Sequence, residues 1–113
     1  MASDLAADLD FALRLADAAD RVTLPHFRAR SFTVDIKANQ TEVTEVDRNT
    51  ETVIMDLVRE HRPHHAWYGE EHGSGGGDNA EWTWVIDPID GTSNYVRGVP
   101  VWATLIALVH RDL

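Results

Sequence analysis

Cysteine is absent from the 113 residues, and this absence excludes a disulfide framework, a thiolate metal site and a cysteine nucleophile. Basic residues are few, since ten Lys and Arg stand against nineteen Asp and Glu and leave a formal net charge of −9. Nucleic-acid binding needs a basic face for the phosphates, and anionic membranes attract basic segments, so we expect neither partner. The lack of cysteine permits a cytoplasmic protein, and we expect that location.

Long hydrophobic runs are also missing. The N-terminus carries three aspartates among its first ten residues, so it has neither the basic start nor the unbroken apolar stretch of a signal peptide. The longest apolar run, residues 99–109, is interrupted by Pro100 and Thr104 and is too short to cross a bilayer. The composition that remains, 43% apolar and 26% charged, is that of an ordinary globular domain.

Two amphipathic helices are predicted in the first half of the chain. Apolar residues recur at spacings of three and four after a predicted N-cap at Ser3 and Asp4, and this stripe indicates a helix that runs to about Pro25. Thr44 and Asp47 fit a capping box, which predicts a second helix that ends at the following proline, Pro63.

Strands are predicted mostly in the second half. Alternating or apolar stretches indicate strands at residues 31–36, 66–68, 81–86 and 99–110. A turn is predicted at residues 37–41, a flexible glycine loop at 73–78 and helical turns at 92–97. This pattern predicts an α+β fold in which two helices cover one face of a mainly antiparallel sheet.

The chain ends directly after its most apolar predicted strand. Nothing in the sequence then covers the second face of that strand or pairs with its free edge, and a complete domain rarely stops at such a point. We therefore expect residues 1–113 to be the N-terminal part of a longer domain whose C-terminal half is absent.

Carboxylates cluster beside the predicted turns. Asp47 alone could be a plain capping residue, and Glu70 and Glu71 alone could be solvated loop charges. Asp87 and Asp90 are harder to explain in this way. They follow an apolar strand at a sharp turn, and a turn that needs one Asx residue accounts for one aspartate but not for both.

Two carboxylates in one concavity repel each other by roughly 4 kcal/mol at a separation of about 4 Å and an effective dielectric constant of about 20. Asp87 and Asp90 would therefore stay ionised together only with cations between them. Oxygen ligands without cysteine or paired histidine favour Mg²⁺, Mn²⁺ or Ca²⁺ over zinc, although the calcium-loop spacing of acids is absent. Gly91 and Thr92 follow, and a glycine before a hydroxyl residue that opens a helical turn presents N–H groups to an anion. Cations beside such donors suit phosphoryl transfer to water.

Three motifs together resemble the inositol monophosphatase family of Mg²⁺-dependent phosphomonoesterases. They are Thr44-x-x-Asp47, Gly69-Glu70-Glu71 and the string Trp-Val-Ile-Asp-Pro-Ile-Asp-Gly-Thr at residues 84–92. The continuation at residues 94–106 is similar to the histidinol-phosphatase branch of that family. The resemblance covers nearly the whole chain but only the first half of the family domain, and it implies the family's layered αβαβα sandwich.

The resemblance also implies a role for each motif residue. The metal ligands would be Glu70, Asp87, the carbonyl of Ile89, and Asp90. The catalytic residues would be Asp47, Glu70 and Thr92, because a hydrogen-bonded pair of Asp47 and Thr92 would act with Glu70 to activate the attacking water. The N–H groups of Gly91 and Thr92 would hold the phosphate. Lys37 would lie near the site, and Glu71 would support the metal ligands.

The function implied by the resemblance is hydrolysis of histidinol phosphate in histidine biosynthesis, with two or three Mg²⁺ ions in the complete domain. The partner would be a small phosphorylated metabolite, and homodimers are common in the family. One alternative is the same chemistry on inositol 1-phosphate or a related sugar or nucleotide phosphate. A second alternative is a truncated fragment that binds metal and catalyses nothing.

The remaining imidazole and indole side chains are expected to have structural roles. The histidines after the second helix are expected to be solvated: His61, His64 and His65. The tryptophans are expected in the core: Trp82, Trp84 and Trp102.

Overall fold

The computed structural model describes residues 4–37 and 42–111. Its helices are α1 (Leu5–Ala29), α2 (Glu45–His61) and α3 (Thr92–Val96). Its strands are β1 (Val34–Ile36), β2 (Glu42–Thr44), β3 (Ala66–Gly69), β4 (Gly73–Gly76), β5 (Trp82–Asp90) and β6 (Ala103–His110). Of the predicted turn at residues 37–41, all but Lys37 lies outside the described residues, and so does the predicted cap residue Ser3.

Helix α1 begins at Asp4, whose carboxylate accepts a hydrogen bond of 3.1 Å from the N–H of Ala7. The helix does not end at Pro25 as predicted but continues to Ala29. Proline in a helix removes one backbone hydrogen bond, but the turn that follows buries Phe27 against Tyr95 and Trp102. Packing of this aromatic ring thus offsets the lost hydrogen bond and keeps the last turn helical.

Helix α2 begins at the predicted capping box, which is confirmed. The hydroxyl of Thr44 accepts from the N–H of Asp47, and the Asp47 carboxylate accepts from the N–H of Thr44. The helix ends at His61, two residues before Pro63. Its buried face carries apolar side chains such as Ile54 and Val58, but it also carries Asp47, Thr50 and Glu51.

The main sheet has the strand order β4-β3-β5-β6. The pairs β3/β4 and β5/β6 are antiparallel, and β3/β5 is parallel, so the sheet is mixed with a majority of antiparallel pairs. Strands β1 and β2 form a separate antiparallel pair. The α+β class predicted from the sequence, with α1 and α2 on one face of the sheet, is confirmed.

The glycine run is a strand rather than the predicted flexible loop. Gly73–Gly76 pairs with β3, and a Cβ atom at Gly75 would collide with the ring of Trp67. The missing side chains therefore let an indole ring lie directly on the backbone of β4. The flexible-loop prediction was wrong because these glycines permit close packing against a neighbouring strand instead of giving a mobile loop.

Two apolar clusters form the core. The first joins α1, α2 and β5 and contains Phe11, Leu15, Ala19, Ile54, Val58, Trp84 and Ile86. The second contains Val46, Ile89 and Tyr95, against which Val22, Phe27, Phe32 and Trp102 pack. Val46 and Ile89 are sequence neighbours of the candidate site residues Asp47 and Asp90, so the second cluster supports the backbone of the site.

One of the histidines expected to be solvated belongs to the core boundary. Nδ1 of His65 accepts a hydrogen bond of 3.0 Å from the indole N–H of Trp84, which is 1% exposed. Burial lowers the pKa of His65, with the charge of Asp8 acting in the opposite direction. The prediction for His65 was wrong because a buried tryptophan needs an acceptor for its N–H, and the sequence does not show which residue provides it.

The second face of the main sheet exposes apolar side chains. Tyr68 on β3, Val85 on β5 and Leu105 and Val109 on β6 share this face and are 37–48% exposed. Strand β6 is also the last strand of the sheet order, so its outer edge pairs with no described strand. Among the described residues, no helix is both long enough and apolar enough to span a bilayer.

We expect the 113-residue chain by itself to associate through β6 and this open face, because an apolar edge strand is a template for pairing with another chain. The double variant Leu105→Lys and Val109→Lys places charges on that edge and should shift the chain toward the monomer. Analytical ultracentrifugation across a concentration series measures the shift. A wild-type chain that is monomeric and unfolds in one sharp thermal transition would contradict the prediction.

Candidate active site

A β-bulge at the end of β5 brings Asp87 and Asp90 to the same face of the sheet. Residues three apart in a regular strand point to opposite faces. Here Asp87 pairs with Leu105 and Asp90 with Ala103, so three steps on β5 match two on β6. The extra residue restores the phase, and both aspartates lie on the open face. Pro88, which has no N–H for the ladder, sits in this bulge, and its carbonyl accepts a hydrogen bond of 2.7 Å from the Thr104 hydroxyl.

Glu70 reaches the same face from β3. Its N–H donates to the carbonyl of Ile86, at 3.3 Å, directly before Asp87. A cavity of about 630 Å³ lies on this face and is lined by Glu70, Asp87 and apolar side chains of β5 and β6. The acidic end of this cavity is therefore formed by two of the residues predicted to bind metal, Glu70 and Asp87.

The carboxyl of Asp87 has a pKa raised to about 7. Burial is the largest cause, followed by the hydrogen bond and negative charge of Glu70 and by the charge of Asp90. The buried Oδ1 of Asp87 accepts no hydrogen bond from any described residue. A carboxylate oxygen without a donor, crowded by two further carboxylates, is the environment that a divalent cation would satisfy.

This donor set fits Mg²⁺ in chemistry, since it offers carboxylate oxygens and the carbonyl of Ile89 and no sulfur. Within residues 4–37 and 42–111, however, no three His, Asp or Glu side chains close around a single point as a finished metal cage. The Glu70 side chain is 52% exposed and forms a hydrogen bond with Asp87. These groups are oxygen donors of the kind that Mg²⁺ prefers, and their role as metal ligands stays a prediction.

Asp47 and Thr92 form the predicted pair. The Thr92 hydroxyl lies 2.9 Å from Oδ2 of Asp47 and 3.0 Å from the carbonyl of Ile89. A hydroxyl has one proton, so it donates to one of these acceptors at a time. The hydroxyl oxygen also has lone pairs, so Thr92 could accept a hydrogen bond while it donates to Asp47.

Asp47 is 2% exposed, and its other oxygen accepts a hydrogen bond of 2.6 Å from the Thr44 hydroxyl. Burial raises the pKa of Asp47, while the hydrogen bonds from Thr44 and Thr92 lower it, and the net shift is upward. The carboxylate is therefore held in place at the first turn of α2 and is a better proton acceptor than an exposed aspartate.

Gly91 connects β5 to α3 with φ of 88°, a left-handed conformation that favours glycine. A Cβ atom there would also lie 3.1 Å from the carbonyl of Val101. The turn directs the chain so that Thr92 opens α3 next to Asp47. The predicted phosphate-binding residue Gly91 therefore directly precedes Thr92, which belongs both to the predicted phosphate site and to the predicted catalytic pair.

Lys37 and Glu71 are adjacent, as expected for residues near the site. Nζ of Lys37 lies 2.7 Å from Oε1 of Glu71 and 3.8 Å from Oε1 of Glu70. Burial lowers the pKa of Lys37, but the hydrogen bond and charge of Glu71 outweigh it and the pKa is raised. The ammonium group thus balances the acidic residues that follow β3.

Sequence reasoning missed Glu51. This residue lies one helical turn after Asp47 and is completely buried, and it binds the turn that carries Glu70 and Glu71. A signal was present, because a glutamate at position 51 interrupts the apolar stripe of α2 between Val46 and Ile54.

The predicted site residues are all found at one end of β5, while their individual roles stay predictions.

The chain is similar in sequence to known phosphatases. A sequence profile of the inositol monophosphatase family matches residues 4–113. The histidinol-phosphatase of Streptomyces coelicolor is 50% identical over 102 residues, which are 90% of this chain and 38% of that protein. The histidinol-phosphatase of Mycobacterium tuberculosis is 46% identical over 102 residues, which are 90% of this chain and 39% of that protein.

Solved structures show the same relationship. The extragenic suppressor protein suhB from Bartonella henselae superposes with a TM-score of 0.85 at 26% identity, over 93% of this chain and 41% of that one. The inositol monophosphatase of Thermotoga maritima superposes with a TM-score of 0.76 at 31% identity, over 91% of this chain and 39% of that one. The chain thus spans about two fifths of the length of the relatives that it matches.

We expect Asp87→Asn to stabilise the chain when divalent cations are absent. The raised pKa means that folding binds a proton, so the stability of the wild type falls as pH rises from about 4 to about 7. At pH 8, with solvent screening discounted, the variant should gain about 1 kcal/mol in the free energy of unfolding, and the gain should shrink at pH 5. Urea unfolding in EDTA measures it, with Asp10→Asn as the exposed control. A gain that is independent of pH would contradict the prediction.

Thr92→Val should destabilise the chain by about 1–3 kcal/mol, because Oδ2 of the buried Asp47 loses the donor that the hydroxyl provides. Thr92→Ser keeps the hydroxyl and should stay close to the wild type. The matched control is Thr52→Val, since the Thr52 hydroxyl donates on the exposed side of α2. Equal losses for Thr92→Val and Thr52→Val in urea unfolding at pH 7.5 would show that the pair contributes nothing specific.

Proposed function

The chain belongs to the inositol monophosphatase family, and on that premise we propose that it is the catalytic N-terminal part of a Mg²⁺-dependent phosphomonoesterase. The observation that carries the proposal is the environment of Asp87. Its buried Oδ1 lacks a donor among the described residues, and its pKa is raised by burial and also by Glu70 and Asp90 on the same face. Such crowding of carboxylates is unfavourable without a cation and favourable with one.

Glu70, Asp87, the carbonyl of Ile89, and Asp90 would hold the cations. When bound, Mg²⁺ supplies charge neutralisation for the phosphate and lowers the pKa of a water molecule. The complete domain would contain two or three such ions. Glu71 and Lys37 would maintain the position and charge balance of Glu70, to which both are close in sequence or space.

The chain's own residues would orient the reaction. Thr92, with its proton donated to Asp47, accepts a hydrogen bond from the attacking water and aligns it with phosphorus. Asp47 would receive the hydroxyl proton of Thr92 as Thr92 takes up the proton that the attacking water loses, and its raised pKa suits this role. The N–H groups of Gly91 and Thr92 would bind phosphate oxygens as the P–O bond to the alcohol breaks, and the leaving oxygen would take a proton from solvent.

Histidinol phosphate is the proposed substrate, which would place the protein in histidine biosynthesis. The proposal is supported by the 50% and 46% identity to two histidinol-phosphatases. Inositol 1-phosphate and related sugar or nucleotide phosphates are the alternative substrates of the same chemistry. Action on a small phosphorylated metabolite as a homodimer in the cytoplasm, without nucleic-acid or membrane partners, is part of the same proposal.

The second candidate is a fragment that binds divalent cations and hydrolyses nothing. It is favoured by the share of each relative that this chain spans, 38% and 39% of the two histidinol-phosphatases. In this case a cation site would still form, because the ligands proposed for this chain all lie between Glu70 and Asp90. The two candidates therefore differ in turnover and not in cation binding.

The test is phosphate release by the protein purified with its natural termini, in Mg²⁺, from histidinol phosphate, inositol 1-phosphate, fructose 1,6-bisphosphate and a nucleotide 3′-phosphate. We expect the highest kcat/KM for histidinol phosphate. Asp87→Asn should lower kcat by at least about 100-fold, because even partners of metal ligands contribute 10–100-fold. Asp56→Asn, an exposed carboxylate on α2, is the control.

Near-wild-type turnover in Asp87→Asn would refute the assignment of the site. Preference for another ester would move the substrate to that class. Cation binding by the wild type without release of phosphate from any ester would establish the second candidate.

A further inference from the structure

Glu51 is a completely buried carboxylate to which the proposed reaction assigns no task. It lies on α2, four residues after Asp47, so the two side chains share one face of the helix. The side chain of Glu51 is 0% exposed. A glutamate is rarely buried in this way unless several donors compensate for the loss of water.

Among the described residues, the donors to Glu51 all belong to the turn between β3 and β4. Oε1 accepts from the N–H of His72 at 2.6 Å and from Nδ1 of the same residue at 2.9 Å. The N–H of Glu71 donates to both carboxylate oxygens, at 3.1 Å and 2.9 Å. Because a carboxylate only accepts, Nδ1 of His72 carries a proton in this arrangement.

The backbone at Gly69, next to this turn, lies directly against the Glu51 carboxylate. A Cβ atom at Gly69 would collide with the Glu51 carboxylate and with the methyl group of Met55. The Thr52 hydroxyl lies 3.3 Å from Nε2 of His72 and fixes the outer side of the ring. The carboxylate is therefore enclosed by Gly69, Met55 and the turn itself, which makes a built pocket for one side chain.

This pocket lies beside the backbone of Glu70. The N–H of Glu70 is bound to the carbonyl of Ile86 on β5, and the next two N–H groups are bound to Glu51 on α2. The backbone is thus held from both sides at the residue that carries the predicted metal ligand. Without the second tie, the backbone after Glu70 would lose its hydrogen bonds to α2.

We infer that Glu51 is a positioning residue, which holds the 70–72 turn so that Glu70 faces Asp87 at the cation site. The inference rests on the proposed function for the role of Glu70. With Asp47 bound to Thr92 and Glu51 bound to the turn after β3, one face of α2 sets the distance between the two halves of the site. Glu51 contacts no predicted substrate or cation ligand side chain and acts through the backbone.

The test measures two properties of the protein purified with its natural termini. The first is hydrogen exchange of the Glu71 and His72 amides by NMR, relative to the core amide of Ile86. The second is Mn²⁺ affinity by isothermal titration, with Mn²⁺ alone as the probe. Glu51→Gln places an NH₂ group opposite the donors, and Gly69→Ala displaces the carboxylate from the other side.

In both variants we expect the two amides to exchange about tenfold faster or more, because charge-assisted hydrogen bonds are lost. The Kd for Mn²⁺ should rise by about 10–100-fold, as for other residues that orient metal ligands. Glu60→Gln, an exposed glutamate of the same helix, should change neither property. Val58→Ala, a cavity in the core, should lower global stability while the ratio of turn to core exchange and the Kd stay near the wild type.

The outcomes separate the two hypotheses. Faster exchange of the turn with an unchanged Kd would overturn the inference, as would an effect in Val58→Ala equal to that in Glu51→Gln. A wild-type chain without affinity for Mn²⁺ would refute the proposed cation site and, with it, the inferred positioning role of Glu51. Unchanged exchange in Glu51→Gln alongside normal Mn²⁺ binding would overturn the positioning role of Glu51 and leave the proposed function intact.

Discussion

The rest of the site depends on the hydrogen bonds of one buried carboxylate, that of Asp47. One of its oxygens closes the capping box at the start of α2, and the other accepts from Thr92 at the start of α3. The neighbouring Val46 packs with Ile89 and Tyr95 in the second core cluster. A helix cap, a helix start and an apolar cluster therefore meet at one charged group. Removal of water makes each of these hydrogen bonds more costly to lose.

The carboxylates on the sheet face are arranged by a defect in β5 rather than by its regular geometry. The bulge at Pro88 compensates for the odd spacing of Asp87 and Asp90 and turns both to the open face. Burial then raises the pKa of Asp87 to about 7, and the hydrogen bond and charge of Glu70 and the charge of Asp90 act in the same direction, in a protein whose net charge is −9. The excess of acid is thus partly concentrated at one end of β5, and local clustering of the charge matters more than its total.

Local sequence signals correctly predicted features that depend on residues close in sequence. They failed where the structure of a segment depends on a residue far away in the chain. The capping box of α2 was predicted correctly, because Thr44 and Asp47 bond to each other within one turn. The glycine strand was missed, because its reason is the ring of Trp67 on the neighbouring strand. His65 was likewise misjudged, since its role as acceptor for Trp84 depends on a contact across 19 residues.

The sequence by itself determined the chemical groups of the candidate site, the order in which they occur and the family to which they point. Short motifs carry that information because a turn, a cap and a strand end are local. Only the tertiary structure decided that the bulge places Asp87 and Asp90 on one face, and that Glu51 binds the turn beside Glu70. Strand register and helix docking set these distances through contacts between residues far apart in the chain, and no spacing within a motif can encode them.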